Sequence, residues 1–202
     1  MASYRDFRCR IVNYATPELD TAKLLERIYD PTWNKLIDNE GIVDGYRIRR
    51  NENLAEICDE EMTKLYEGVV YNEVQKYCMD EFHCFGRLTE KIGDLPRIAI
   101  ELTDYWVNVF PPGSYQRIHS HYNSNLSGVV YLQVPENSGD TYIPSPYING
   151  IENIITTASE YVIQPFAKTG LLYPSSLPQS ISRNESDDDK VSISYTLKLK
   201  NV

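Results

Sequence analysis

Three histidines and four cysteines are all that the 202 residues offer as soft or switchable ligands. Cys9, Cys58, Cys78 and Cys84 form no Cys-x-x-Cys pair, which excludes a zinc ribbon and a dense disulfide framework. They read as reduced thiols of a cytoplasmic protein. Positive charge is also scarce, with 20 Lys and Arg against 29 Asp and Glu and a net charge of −9. The largest basic cluster is Arg47, Arg49 and Arg50. A nucleic-acid reader shows a basic face, so neither nucleic acid nor an anionic membrane is expected as partner. No apolar run approaches the ~20 residues of a membrane span, and no apolar stretch of a signal peptide follows the N-terminal Met1-Ala2-Ser3-Tyr4. The expectation is a soluble chain. Gly-rich phosphate loops, Gly-x-Ser-x-Gly elbows and zinc-protease helices are missing too.

What is present suits a globular chain. Hydrophobic residues make up 42% and charged residues 24%. The length allows one domain, 1–202, with its own core. Tyrosine outnumbers phenylalanine by 16 to 5. A ring with a polar tip suits strands, and it also suits half-wet pockets and interfaces. Protein partners or a homo-oligomer are the partners expected.

Along the chain, Tyr4 to Tyr14 is a first strand candidate. Thr16 before Pro17 places a helix start, because proline is welcome in the first turn. Ala22, Leu24, Leu25 and Ile28 supply its apolar stripe, and Pro31 ends it. The stretch from Asn34 to Asn51 is polar and irregular, with turns at Gly41 and Gly45. A longer helix is predicted over about Leu54 to Met79, burying Cys58, Met62, Leu65 and Val69 at intervals of four, three and four. His83, between Phe82 and Cys84-Phe85, reads as a core or surface residue. From Arg97 onward short strands dominate. In the last, Val191, Ile193, Tyr195, Leu197 and Leu199 alternate with Ser192, Ser194, Thr196, Lys198 and Lys200, a period of two that predicts one buried face. Helices followed by many strands give an α+β order, with the helices on one side of an antiparallel sandwich or barrel.

The chemistry-bearing segment is Tyr105-Trp106-Val107-Asn108-Val109-Phe110, then Pro111-Pro112-Gly113, then Ile118-His119-Ser120-His121. Leu126-Ser127-Gly128-Val129-Val130-Tyr131-Leu132 follows. In an extended segment His119 and His121 point the same way. Such a pair can share a metal, or face water as two polar side chains. Downstream come Pro165, Gly170 and Leu172-Tyr173-Pro174-Ser175-Ser176-Leu177-Pro178-Gln179, and Lys190 precedes Val191-Ser192-Ile193-Ser194.

In that order, over about residues 104 to 197, the pattern resembles the 2-oxoglutarate/Fe(II) oxygenase family common in bacteriophages and marine bacteria. The resemblance implies a double-stranded β-helix of jelly-roll or cupin-like form over 97–202. Residues 1–96 would then be a support region with helices on its outer face. It also implies a metal site of His119 and His121 with Gln179 at the third position, where the family carries histidine. Lys190 falls where a basic residue, more usually arginine, grips 2-oxoglutarate. Asn108, Tyr131 and Ser192 are further cosubstrate-binding candidates. Fe(II) and 2-oxoglutarate are the cofactors of an active member, and none is expected of an inert one. A neutral amide is a poorer Fe(II) donor than imidazole. The expectation is therefore a non-catalytic or weakly catalytic relative that serves as a binding or assembly module, cytoplasmic or in a phage virion. The alternative is an active dioxygenase that hydroxylates a small molecule or a protein side chain.

Overall fold

Strand alternation organises the whole second half of the chain. The computed structural model describes residues 11–32, 35–49, 60–76, 98–144 and 160–201. Cys9, Cys58, Cys78, Cys84 and His83 lie outside them, as do the outer ends of the first predicted strand and the longer predicted helix. The elements are β1 (Val12–Ala15), α1 (Thr21–Tyr29), β2 (Ile37–Asp38), β3 (Ile42–Val43), β4 (Tyr46–Arg49), α2 (60–76), β5 (Ile98–Phe110), β6 (Tyr115–His119) and β7 (Leu126–Gln133). They continue as β8 (Thr141–Pro144), β9 (Glu160–Ile163), β10 (Thr169–Pro174), β11 (Gln179–Ile181) and β12 (Lys190–Asn201). A seven-stranded sheet runs β1-β10-β7-β12-β5-β4-β2, and a five-stranded sheet runs β3-β6-β11-β8-β9, with antiparallel pairing throughout. From β5 to β12 the chain passes back and forth between the two sheets, which is the double-stranded β-helix expected.

The larger sheet has two different faces. Tyr105, Val107 and Val109 of β5, Val130 and Leu132 of β7, and Val191, Ile193, Tyr195 and Leu197 of β12 form one core with Leu24 and Ile28 of α1 and Met62 and Leu65 of α2. This is the outer face, covered by the helices as predicted. On the other face Val129, Tyr131, Leu171 and Tyr173 pack with Ile143 of β8 and with Leu177 in the loop between β10 and β11. The expectation of one buried face on β12 is corrected. Ser192, Ser194 and Thr196 are buried as well, Ser192 at 1% exposure and Lys190 before it at 0%, while Lys198 and Lys200 are exposed as expected. The buried ones line the space between the sheets rather than facing water.

Three local readings also change. Helix α1 starts at Thr21, not beside Thr16, because the Asp20 side chain accepts the Lys23 N–H at 3.1 Å and caps it. The stretch from Asn34 to Asn51, expected to be irregular, holds β2, β3 and β4. β2 pairs with β4 and β4 with β5 in the larger sheet, while β3, set off by positive-φ turns at Gly41 and Asp44, pairs with β6 in the smaller one. In α2 a π turn spans Tyr66–Val70, where the Tyr71 N–H reaches the Tyr66 carbonyl five residues back. That extra residue shifts the stripe, so Met62, Leu65, Val70 and Val74 are buried and Val69 is only partly so. Val70→Ala should therefore cost roughly 1–3 kcal/mol and Val69→Ala less than about 1. Urea denaturation of both variants checks this, and the reverse ranking would remove the π turn.

Candidate functional site

His119 is the last residue of β6, and His121 lies two residues on, in the loop before β7. Gln179 opens β11 and is the direct cross-strand partner of His119. Strand pairing thus brings together the three residues that the sequence suggested as a metal set. The imidazole centroids of His119 and His121 are 5.2 Å apart, and the Gln179 Nε2 stands 3.3 Å from His119 Nε2.

The hydrogen bonds fix the roles around His119. Its Nδ1 lies 2.9 Å from the Arg117 carbonyl, which can only accept, so Nδ1 carries the proton. Nε2 is then the lone-pair nitrogen, and the Gln179 amide donates to it. His121 Nδ1 lies 2.8 Å from Ser127 Oγ, which is 2.7 Å from Ser175 Oγ. Ser124 Oγ donates to the same Ser175 oxygen at 2.8 Å. Burial pushes the pKa of both imidazoles down, and together with the neighbouring His119 and Arg47 it takes His121 to about 4. Both rings are neutral at pH 7.

A cation from the N-terminal half flanks this pair. Arg47 on β4 lies over the Trp106 ring at 5.5 Å, and Trp106 meets His121 edge-on at 5.2 Å. Asp38 holds the guanidinium with two bonds of 2.7 and 2.8 Å, and Glu40 accepts from Nη2 as well. The sequence reading missed Arg47. The alternation Tyr46-Arg47-Ile48-Arg49 was the available signal, with buried Ile48 on the opposite face from Arg47.

Deeper between the sheets lies a polar rung. Arg47, Asn108, Ser192 and Tyr131 are successive cross-strand partners on β4, β5, β12 and β7. Three of the four cosubstrate candidates therefore share one rung. Lys190, the fourth, opens β12 at the end remote from the histidines. Its Nζ donates to the Gly139 carbonyl at 2.7 Å and lies 5.6 Å from the Tyr131 ring. Burial lowers its pKa to about 8. Asn108 donates to Ser194 Oγ at 2.9 Å, while its own Oδ1 is buried with no partner. The buried Tyr173 hydroxyl has no partner of hydrogen-bonding geometry either.

These donors can be set against the family's iron site. Iron in such enzymes takes two histidines and one carboxylate. Here two neutral imidazoles have their Nδ1 atoms held by protein groups, a proper ligand posture. His121 falls where the wider superfamily has the carboxylate, and the position of the distal histidine holds an amide that donates rather than accepts. Among the described residues no three His, Cys, Asp or Glu side chains converge on a metal position. The set does not fit a two-histidine, one-carboxylate iron.

Residues 104–196 match the family described as "Putative 2OG-Fe(II) oxygenase", the segment on which the sequence resemblance rests. No curated protein sequence matches the chain. An oxidoreductase of the 2OG-Fe(II) oxygenase family from Burkholderia pseudomallei is 15% identical, with a TM-score of 0.57 over 93% of this chain and 85% of its own. A Pseudomonas putida prolyl-4-hydroxylase is 16% identical, with a TM-score of 0.52 over 94% and 92%. The collagen prolyl hydroxylase of Paramecium Bursaria Chlorella virus-1, solved with 2OG, is 12% identical, with a TM-score of 0.53 over 96% and 98%. At these identities the likeness is one of fold.

Proposed function

We propose that this relative of the 2OG-Fe(II) oxygenases holds no catalytic iron and serves as a binding or assembly module. The observation that carries the reading is the Gln179 amide donating to His119 Nε2. That lone pair is the one a metal would need, and the hydrogen bond links β6 to β11 without a metal. Losing even a partner behind a metal ligand costs ~10–100-fold in affinity, and losing a ligand costs more. Lys190 is already engaged by the Gly139 carbonyl, and a lysine lacks the two-pronged grip of arginine on a carboxylate.

The test uses intact protein prepared without oxygen and equilibrated with Fe(II). The parent should retain substoichiometric iron and show no 2-oxoglutarate-dependent oxygen uptake. Gln179→His should bind iron at least about tenfold more tightly. Stoichiometric iron with steady 2-oxoglutarate consumption by the parent would overturn the reading in favour of an active dioxygenase.

A further inference from the structure

Resting on the iron-free reading above, we propose that the mouth formed by His119, His121 and Gln179 recognises a primary carboxamide, to which His121 offers a hydrogen-bond donor and Gln179 an acceptor. The two rings stand in similar poses but carry their protons on different nitrogens. His119 donates from Nδ1 to the Arg117 carbonyl and accepts the Gln179 amide at Nε2. His121 is governed by a row of serines. Ser124 Oγ donates to Ser175 Oγ at 2.8 Å. Ser175 is 1% exposed, and its hydroxyl meets only Ser124 and Ser127. Its proton therefore goes to Ser127 Oγ, 2.7 Å away. Ser127 is fully buried, and its own proton is left for His121 Nδ1 at 2.8 Å. With Nδ1 accepting, the neutral His121 ring carries its proton on Nε2.

Two polar atoms then remain open at the mouth. His121 Nε2 and Gln179 Oε1 take part in no hydrogen bond among the described residues, and neither is one of the buried side-chain atoms that lack a partner. Both therefore keep contact with solvent. They belong to one cluster, since Gln179 Nε2 is 3.3 Å from His119 Nε2 and the two imidazole centroids are 5.2 Å apart. A donor beside an acceptor is matched by a group that shows C=O and N–H on one edge, as a primary carboxamide does. A trans peptide bond turns the two to opposite sides. A carboxylate has acceptors alone, and it would leave Gln179 Oε1 facing another oxygen. Arg47 offers a carboxylate little, because Asp38 and Glu40 already hold its guanidinium. Trp106, partly exposed and edge-on to His121 at 5.2 Å, gives the body of the ligand an apolar wall.

Two measurements on the intact protein, prepared without iron, test the proposal. Imidazole nitrogen NMR shifts at pH 7 should show His119 protonated on Nδ1 and His121 on Nε2. Titration with benzamide should give saturable amide shifts confined to 106, 119–122 and 175–179. Benzoate and N-methylbenzamide should bind about tenfold more weakly, since each leaves one of the two atoms unpaired. Acetyl-glutamine N-methylamide carries the same group on an amino-acid side chain. Tighter binding than benzamide assigns the site to a protein side chain, and weaker binding to a free small carboxamide. Ser127→Ala cuts the row of serines, so His121 should populate both tautomers and benzamide should weaken at least about threefold. Gln179→Leu should lose the preference for benzamide over benzoate. Both rings protonated on Nδ1, or benzoate bound as well as benzamide, in protein that holds no iron overturns the proposal and leaves the non-catalytic reading standing. Iron that binds stoichiometrically and excludes benzamide overturns both.

Discussion

Gly128→Ala is expected to cost more than ~3 kcal/mol, at or beyond the upper end of ordinary overpacking. A Cβ there would lie 2.1 Å from Cζ of Tyr195 and 2.2 Å from its hydroxyl oxygen. The ring cannot step aside. Tyr195 is fully buried in the outer core, directly opposite Gly128 on the neighbouring strand. Its hydroxyl is 2.6 Å from that of Tyr14. Tyr14 in turn covers Gly170, where a Cβ would come within 2.3 Å of its ring. Two glycines and two tyrosines thus lock β1, β10, β7 and β12 together, and a methyl group at either glycine strikes a ring held from both sides. Urea denaturation of Gly128→Ala, Tyr195→Ala and the double variant measures the effect. Tyr195→Ala alone should cost ~3–5 kcal/mol, as deletion of a large buried ring does. The double variant should cost less than the sum by at least about 1 kcal/mol, because the clash is gone. A loss under about 1 kcal/mol for Gly128→Ala would sink the packing account.

The same glycine shows what the sequence could and could not reveal. Leu126-Ser127-Gly128-Val129 was legible as a motif, but its cause was not, because Tyr195 lies 67 positions away and meets it only across a strand pair. The β core was legible since period-two alternation is a local signal. The position of Gln179 was legible through the Leu172 to Leu177 segment before it. Strands of two to four residues between Ile37 and Arg49 were not, for too few residues carry the period. They form because β5 and β6 offer free edges. With them went Arg47, the cation that reaches the histidine pair through Trp106 and that the sequence left unassigned. The π turn was invisible because one inserted residue breaks the helical repeat without changing composition. The inner face of β12 was misread for a different reason. Serines and threonines alternate with apolar residues in the same way whether they face water or a polar interior, and only the second sheet decides which.

Lys190 sits on that inner face, and its burial should make stability rise with pH in alkaline solution. In the folded protein it titrates at about 8, against an ordinary 10.5, because burial disfavours the charged form. Below pH 8 the lysine is charged in both states, and the folded state carries the full cost. As pH rises past 8 the folded protein releases the proton while the unfolded chain still binds it. The unfolded state then holds more protons, so unfolding becomes harder until about pH 10.5. Each pH unit of separation is worth about 1.4 kcal/mol, so the whole recovery is about 3 kcal/mol. The buried tyrosines set the upper limit of the window. Burial raises Tyr131 to about 12 and pushes Tyr14, Tyr173 and Tyr195 up as well. Their unfolded forms ionise near pH 10, and stability falls above that. Denaturation midpoints should therefore be compared between pH 7.5 and 9.5, for the parent and for Lys190→Met. Thiol ionisation falls in the same range but is common to both proteins and cancels in the difference. The parent curve should climb relative to the variant. Parallel curves would mean that Lys190 is not buried as a free base. The comparison also bears on function, because a carboxylate held against Lys190 would keep it charged and flatten the climb. Under the non-catalytic reading millimolar 2-oxoglutarate leaves the climb intact.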